Sequence, residues 1–272
     1  MIDLHLHTTA SDGRCTPVQL VVRAAAAGVT TMAVTDHDTV AAVAEAKAAA
    51  AVPGIDVVGG IEVTAVESGR DIHVLGYFID PEDRPLAEFL SAQRRQRIAR
   101  VQAIGDRLQQ LGMPIDTAAL LANQDSARSI GRPQIARAMI AAGYAADSRE
   151  VFDRWLATGR PGFIPRTGAS PADVISILHG AGAIVSLAHP GQTGVDGRIP
   201  AYREAGLDAI EVYHPDHDDA SRRRYRELAA QLSLLVTGGS DFHGDVSHGW
   251  EPGSVTLPAD EWLRLRAAVL HA

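Results

Sequence analysis

Six of the eleven histidines in this 272-residue chain stand in short polar runs that end or follow apolar segments. "IDLHLHTTASDG" carries His5, His7 and Asp12; "VTDHDT" carries His37; "GGIEVT" carries Glu62; "DIHVLG" carries His73. "LAHPG" adds His189, and "GGSDFHG" adds Asp241 and His243. Imidazole and carboxylate together suit Zn, Mn or Fe. A carboxylate can bridge two ions, and water shared between them becomes a hydroxide nucleophile near neutral pH. One ion takes about four to six ligands, so nine suit two or three ions.

Each of these residues, taken singly, has an ordinary explanation. A buried histidine is commonly a hydrogen-bonded core residue. Glu62 could pair with an arginine, "SDG" is turn chemistry around Asp12, and His37 stands near a helix start with Asp38 and Thr39. Together these explanations fail, because they would bury many unpartnered polar groups at one end of the molecule.

The elements that would bring the set together are legible. In "IDLHLH", Ile2, Leu4 and Leu6 face one way and Asp3, His5 and His7 the other. Thr16, Pro17 and Gly28 bracket a helix, and another is expected over about 40–51. Further strands are expected at "TMAVT", "IDVVGGIEV", "DIHVLGYFI", "AIVSLAH", "AIEVYH" and "LLVTGGSDFH", mostly separated by helices. Their apolar runs read as strands of a parallel α/β sheet buried on both faces. Strand ends in such a barrel converge on one face, where sites are built. Residues 83–168 offer helical segments and no convincing strand. The expected organisation is a barrel over 1–82 and 169–272 with an all-helical insertion over 83–168.

Apolar residues make up 46% of the chain, enough for a sizeable core. A net charge of −8 argues against a duplex nucleic-acid partner. The single cysteine, Cys15, excludes an internal disulfide and fits a reducing, cytoplasmic compartment. The opening residues read as strand rather than leader, and no apolar run reaches the roughly 18 residues of a membrane span.

With these motifs in place, the chain resembles the PHP family, named for polymerase and histidinol phosphatase. The likeness covers the chain outside the insertion and rests on "DLHLHTTASDG", "VTDHDT", "LAHPG" and "GGSDFHG", with "GIEVT" and "DIHVLGY" between the second and third. It implies a distorted (β/α)7 barrel with two or three divalent ions, a trinuclear centre at most, with Mn expected and Fe or Zn as alternatives. It implies His5, His7, Glu62 and Asp241 on one ion; Glu62 bridging to a second held by His73 and His189; and Asp12, His37 and His243 on a third. Glu62 is then catalytic in bridging the ions that hold the attacking hydroxide. Family members hydrolyse phosphate esters. The related amidohydrolases often use a carboxylated lysine as the bridge, but the one lysine, Lys47, lies in an alanine-rich helix expected to face solvent.

The insertion resembles that of small bacterial PHP phosphoesterases. That implies removal of the 3′-phosphate from nucleoside 3′,5′-bisphosphates, to give the nucleoside 5′-monophosphate, or trimming of short single-stranded RNA from its 5′ end. Ser129 and Arg132, at the start of "RPQIARAMI", are candidates to hold the far phosphate; Arg198 is another. His214, just after a strand, is a candidate proton donor. "RRQRIAR" is expected to be a solvated helix face, with an oligonucleotide path as the alternative. A histidinol-phosphate phosphatase and a non-catalytic metal-binding module are the remaining alternatives.

Overall fold

The computed structural model describes residues 1–122, 127–244 and 249–269. Seven strands form one sheet in chain order: β1 (Ile2–Leu6), β2 (Thr31–Val34), β3 (Asp56–Glu67), β4 (Arg70–Tyr77), β5 (Ile184–Leu187), β6 (Ala209–Tyr213) and β7 (Leu235–Gly238). A parallel bridge between Leu6 and Phe242 joins the first strand to the end of the last, so the sheet is nearly closed into a barrel. Leu4 and Leu6 are fully buried on one side of β1, and Asp3 and His5 on the other, as the alternation requires.

One strand departs from the expected parallel order. β4 is antiparallel to both neighbours. The cause is local: Ser68 and Gly69 take φ of 51° and 76°, and this two-residue turn folds β3 straight back as a hairpin. β3 consequently runs to Glu67, past the expected end. Because β4 runs backwards, its beginning, with Asp71 and His73, shares an end with the C-termini of the parallel strands.

The outer helices begin as their sequences dictate. In α1 (Pro17–Ala26), Thr16 and Gln19 cap each other and Pro17 fills the first turn. Gly28 follows the helix in the left-handed region, at φ 82°. Lys47, on α2 (Val43–Ala50), is exposed, so it cannot bridge ions inside the barrel.

Between β4 and β5 lie α3 (Arg84–Gln110), α4 (Thr117–Ala122), α5 (Arg132–Ala141) and α6 (Ser148–Val151), the last running into a π-helical turn at Phe152–Leu156. The segment "TAALLANQ" forms α4 over its first six residues, and its last two lie outside the described ones. Among the described residues this stretch contains no strand. Ile104, Leu108, Ile135, Met139 and Leu156 form an apolar cluster separate from those of the barrel. α3 belongs to both layers, burying Leu86 and Leu90 against the barrel and Val101, Ile104 and Leu108 in the helical cluster. At about 1.5–3 kcal/mol per buried aliphatic side chain, α3 ties the helical layer firmly over the strand ends. No described helix is long and apolar enough to cross a membrane.

Candidate metal centre and its cleft

The end of β7 approaches β1 so closely that a side chain at Gly239 would lie 2.4 Å from the His5 amide and 2.7 Å from Asp3 Oδ1. Asp3 accepts hydrogen bonds from the Ser240 amide (2.9 Å), the Ser240 hydroxyl (2.6 Å) and the Gly253 amide (2.7 Å). These fix the turn that presents Asp241. Burial pushes the Asp3 carboxyl up to about 6, despite those hydrogen bonds.

Glu62 occupies the middle. Its Oε2 lies 3.3, 3.2 and 3.1 Å from His5 Nε2, His7 Nε2 and His37 Nδ1, and its Oε1 lies 2.9 and 3.1 Å from His73 Nδ1 and His189 Nε2. One carboxylate therefore faces five imidazoles, with a different set at each oxygen. Asp12 is approached by His243 (3.3 Å), His37 (3.6 Å) and His7 (3.7 Å). Asp241 Oδ1 lies 3.3 Å from the Nε2 atoms of both His5 and His7.

Ligand atoms gather within 4.8 Å in three sets: His7, Asp12, His37 and His243; His5, His7 and Asp241; and His37, Glu62 and His73. All nine expected ligands converge. His7 and His37 each belong to two sets, and His189 joins through Glu62. His189 and Asp241 hold positive φ of 25° and 49°, backbone strain concentrated where the side chains must converge.

The donor set fits divalent cations. His5 Nε2, both nitrogens of His7, His37 Nδ1, His189 Nδ1 and Glu62 Oε2 are buried without a hydrogen-bond partner among the described residues. Buried polar atoms are rarely left so. Charge tells the same story. Burial alone would raise Asp12, Glu62 and Asp241, yet the surrounding imidazoles, His37 foremost for Asp12 and Glu62 and His5 for Asp241, hold all three well below the usual carboxylate range. Against burial, Asp241 and Glu62 lift His7 to about 10, whereas burial carries His37 down to about 3. The carboxylates demand positive charge, which His7 supplies by holding a proton and which His37, neutral above about pH 3, does not.

Residues that sequence reasoning did not single out orient the set. Glu211, fully buried on β6, places Oε1 2.9 Å from His5 Nδ1 and accepts from the His189 amide at 2.8 Å. It thereby turns His5 Nε2 toward the centre. His217 spans Val212 O (2.9 Å) and the Gly191 amide (3.2 Å), bracing the turn after His189. Asp36 accepts from Thr8 and Ser11 and holds the loop that carries Asp12. An acid or histidine isolated within an apolar strand, such as Glu211 in "AIEVY", is the signal that marks such residues.

A cleft of about 730 Å³ opens over the centre, walled by Asp12, Asp241 and His243 on one side and by Arg137, Phe152 and Trp250 on others. His214 also lines it. The Asp216 amide donates to His214 Nδ1 (3.1 Å), which leaves the ring proton on Nε2, 3.3 Å from Asp241 Oδ2. α5 is moored to the Asp12 loop: the Ser129 amide donates to Ala10 O (2.8 Å), Gln134 Nε2 to Ser11 O (2.7 Å), and Arg137 to Asp12 O. Ser129 is buried, its hydroxyl unpartnered. Arg132 reaches Asp71 at 3.0 Å and lies 5.8 Å over the Phe152 ring. Arg198 is not among the cleft residues; its guanidinium pairs with both Glu67 oxygens at 2.9 and 3.2 Å. The "RRQRIAR" run is a solvated face only in part: Arg95, Gln96 and Ile98 are exposed, whereas Arg97 is buried against Asp38 and Arg100 turns toward Asp71.

Comparison with known proteins agrees with this geometry. A PHP domain model matches residues 3–155. The chain is 33% identical to a 3′,5′-nucleoside bisphosphate phosphatase of Chromobacterium violaceum, over 99% of this chain and 98% of that one. It is 35% identical to the 5′-3′ exoribonuclease Rnm of Escherichia coli, over 89% and 84%. A solved structure from Bifidobacterium adolescentis, provisionally assigned as a metal-dependent phosphoesterase, superposes with a TM-score of 0.89 at 33% identity, covering 97% of this chain and 94% of that one.

Proposed function

The chain belongs to the PHP family, and we propose that it is a metal-dependent phosphoesterase that removes the 3′-phosphate of a nucleoside 3′,5′-bisphosphate. The observation that carries this reading is Glu62, one buried carboxylate facing five imidazoles beneath a cleft of nucleotide size. The relative from Chromobacterium violaceum supports the choice of substrate.

His5, His7, Asp12, His37, Glu62, His73, His189, Asp241 and His243 would hold two or three divalent ions, Mn first among the candidates. When bound, such ions polarise phosphoryl oxygens and activate water near neutral pH. The chain's own groups do the rest. Glu211 keeps the His5 ring and the His189 backbone in place. His214 carries its proton on Nε2 at the cleft wall, where it can hydrogen-bond the leaving 3′ oxygen. Phe152 and Trp250 offer flat faces to the base. Arg132 and Ser129, beside α5, attract the phosphate at the far end.

The second reading, exonuclease action on short RNA, is favoured by the size of the cleft and by Arg137 and Arg149 in its lining. The test is phosphate release by Mn-loaded protein from adenosine 3′,5′-bisphosphate, histidinol phosphate and a 5′-phosphorylated RNA trinucleotide. The proposal expects the bisphosphate to win by orders of magnitude in kcat/KM. A preference for the trinucleotide moves the function to RNA, and a preference for histidinol phosphate overturns the nucleotide reading altogether.

A further inference from the structure

The loop that ends in Asp12 is held from outside the barrel. Three consecutive carbonyls each accept a hydrogen bond from the helical layer: Ala10 O from the Ser129 amide (2.8 Å), Ser11 O from Gln134 Nε2 (2.7 Å) and Asp12 O from Arg137. These donors stand just before α5 or in its first two turns. The inner side of the loop has no slack. A side chain at Gly13 would lie 2.5 Å from His7 O and 2.7 Å from the Thr8 amide. Asp36 accepts from that amide and from the hydroxyls of Thr8 and Ser11.

The loop after His37 is gripped in the same way. Thr39 Oγ1 donates to Ala127 O (2.5 Å), Arg94 donates to Asp38 O (3.3 Å), and Arg97 and Arg166 face the Asp38 carboxylate. The other two members of this ligand set are held by barrel segments. The His7 amide donates to Phe242 O (3.0 Å), and the Arg14 amide to His243 O (2.8 Å). The set of His7, Asp12, His37 and His243 therefore straddles the seam between barrel and helical layer. The set of His5, His7 and Asp241 does not: Glu211 on β6 fixes His5, and Asp3 on β1 fixes the turn that carries Asp241. A ligand whose loop must be ordered as the ion arrives gives up affinity to that ordering; a ligand held in place beforehand does not.

We propose that Gln134 is a positioning residue for Asp12, and that the helical layer, through Gln134, Arg137 and the Ser129 amide, assembles the ligand set at the seam. This rests on the reading that these residues hold divalent cations. It makes one class of bound ion depend on the docking of the layer that walls the cleft, whereas the class at His5 and Asp241 depends on the barrel.

Gln134 has two roles that substitution separates. Its Oε1 accepts from the Gly131 amide (2.9 Å) and caps α5, while its Nε2 donates to Ser11 O. Gln134→Glu keeps the acceptor and loses the donor; Gln134→Met loses both. The added charge of a glutamate would by itself attract cations, so weaker metal binding cannot come from that charge.

The test is equilibrium dialysis of full-length, Mn-loaded protein against graded free Mn, with bound equivalents counted by elemental analysis. Wild type is compared with Gln134→Glu, Gln134→Met, Glu211→Gln and the double variant Gln134→Glu, Glu211→Gln. The proposal expects both Gln134 variants to weaken one class of bound Mn by about tenfold or more and to move the remainder by less than about twofold. Glu211→Gln, acting on His5, should weaken a different class, and the double variant both. An effect of Gln134→Met that Gln134→Glu does not share leaves Gln134 a helix cap alone and overturns the proposal. Equal weakening of every class is the mark of general loosening and overturns it too. A wild type that binds no Mn defeats the metal reading itself, whereas a wild type that binds Mn with affinities indifferent to Gln134 defeats only this inference.

Discussion

The metal centre and the arginine cluster are two buried polar assemblies standing back to back. His37 and Asp38 are sequence neighbours, and Asp71 and His73 alternate onto one face of β4, so each element contributes one residue to each assembly. Their deficits are opposite. Around Glu62 the unsatisfied atoms are mostly imidazole nitrogens facing low-pKa carboxylates; around Asp71 they are guanidinium N–H groups. The first has a donor set that fits divalent cations; in the second, four guanidiniums share the carboxylates of Asp38 and Asp71.

The harshest way to break this comparison is Glu62→Gln. It keeps the shape and removes the charge that five imidazoles face. We expect kcat to fall by about 10³-fold or more, with at least one ion per chain lost by elemental analysis. Full metal content and near-normal turnover would mean that Glu62 is not central to the site. Glu211→Gln acts one layer out. Because Glu211 orients His5 and His189, metal affinity should fall about 10–100-fold, and turnover should recover at high Mn. Turnover that stays low at saturating Mn would give Glu211 a different role.

Between the two assemblies stands Phe152, which lines the cleft and lies under Arg132. Phe152→Leu should raise KM for adenosine 3′,5′-bisphosphate about tenfold, the scale of one lost base stack. Hydrolysis of a small aryl phosphate should hardly change. Parallel effects on both substrates would place Phe152 outside the base-binding wall.

The two assemblies also differ in how far the sequence reveals them. All seven strands were legible from apolar runs, and the convergence of nine candidate ligands from polar residues at their ends, because a barrel sends strand ends to one place. The β3–β4 hairpin was missed because "SG" was not weighed as a two-residue turn. The expected division of ligands into sets came from a family pattern; in the fold, His7 and His37 each lie close to two of the candidate groups. The arginine cluster left no periodic trace. Arg97 and Arg100 come from one helix, Arg132 from the start of another and Arg166 from a loop, and only tertiary packing joins them. Read as a linear run, "RRQRIAR" suggested a wet surface; the carboxylates of buried Asp38 and half-buried Asp71 draw two of its arginines inward. Arg198 shows the converse: Glu67 lies 131 residues away in sequence but pairs with it in space.

The mildest prediction concerns an ion pair belonging to neither assembly. His179, in the last turn of α7 (Pro171–Gly180), lies 2.7 Å from Asp208. That hydrogen bond raises His179 above its ordinary 6.5, outweighing the opposing effect of its partial burial. The folded state therefore favours the protonated ring more than the unfolded chain does. The stabilisation is fully present below about pH 6.5 and is lost as pH rises through the higher, folded value. His179→Gln should accordingly lower Tm most near pH 5.5 and progressively less toward about pH 8.5. The pair is partly exposed, so solvent screening keeps the effect small. Phosphate release by the same variant should follow the wild-type pH profile throughout. A Tm difference that grows with pH would reverse the sign of the linkage. An altered activity profile would couple this remote pair to the cleft and weaken the distinction between groups that await a ligand and groups that already have a partner.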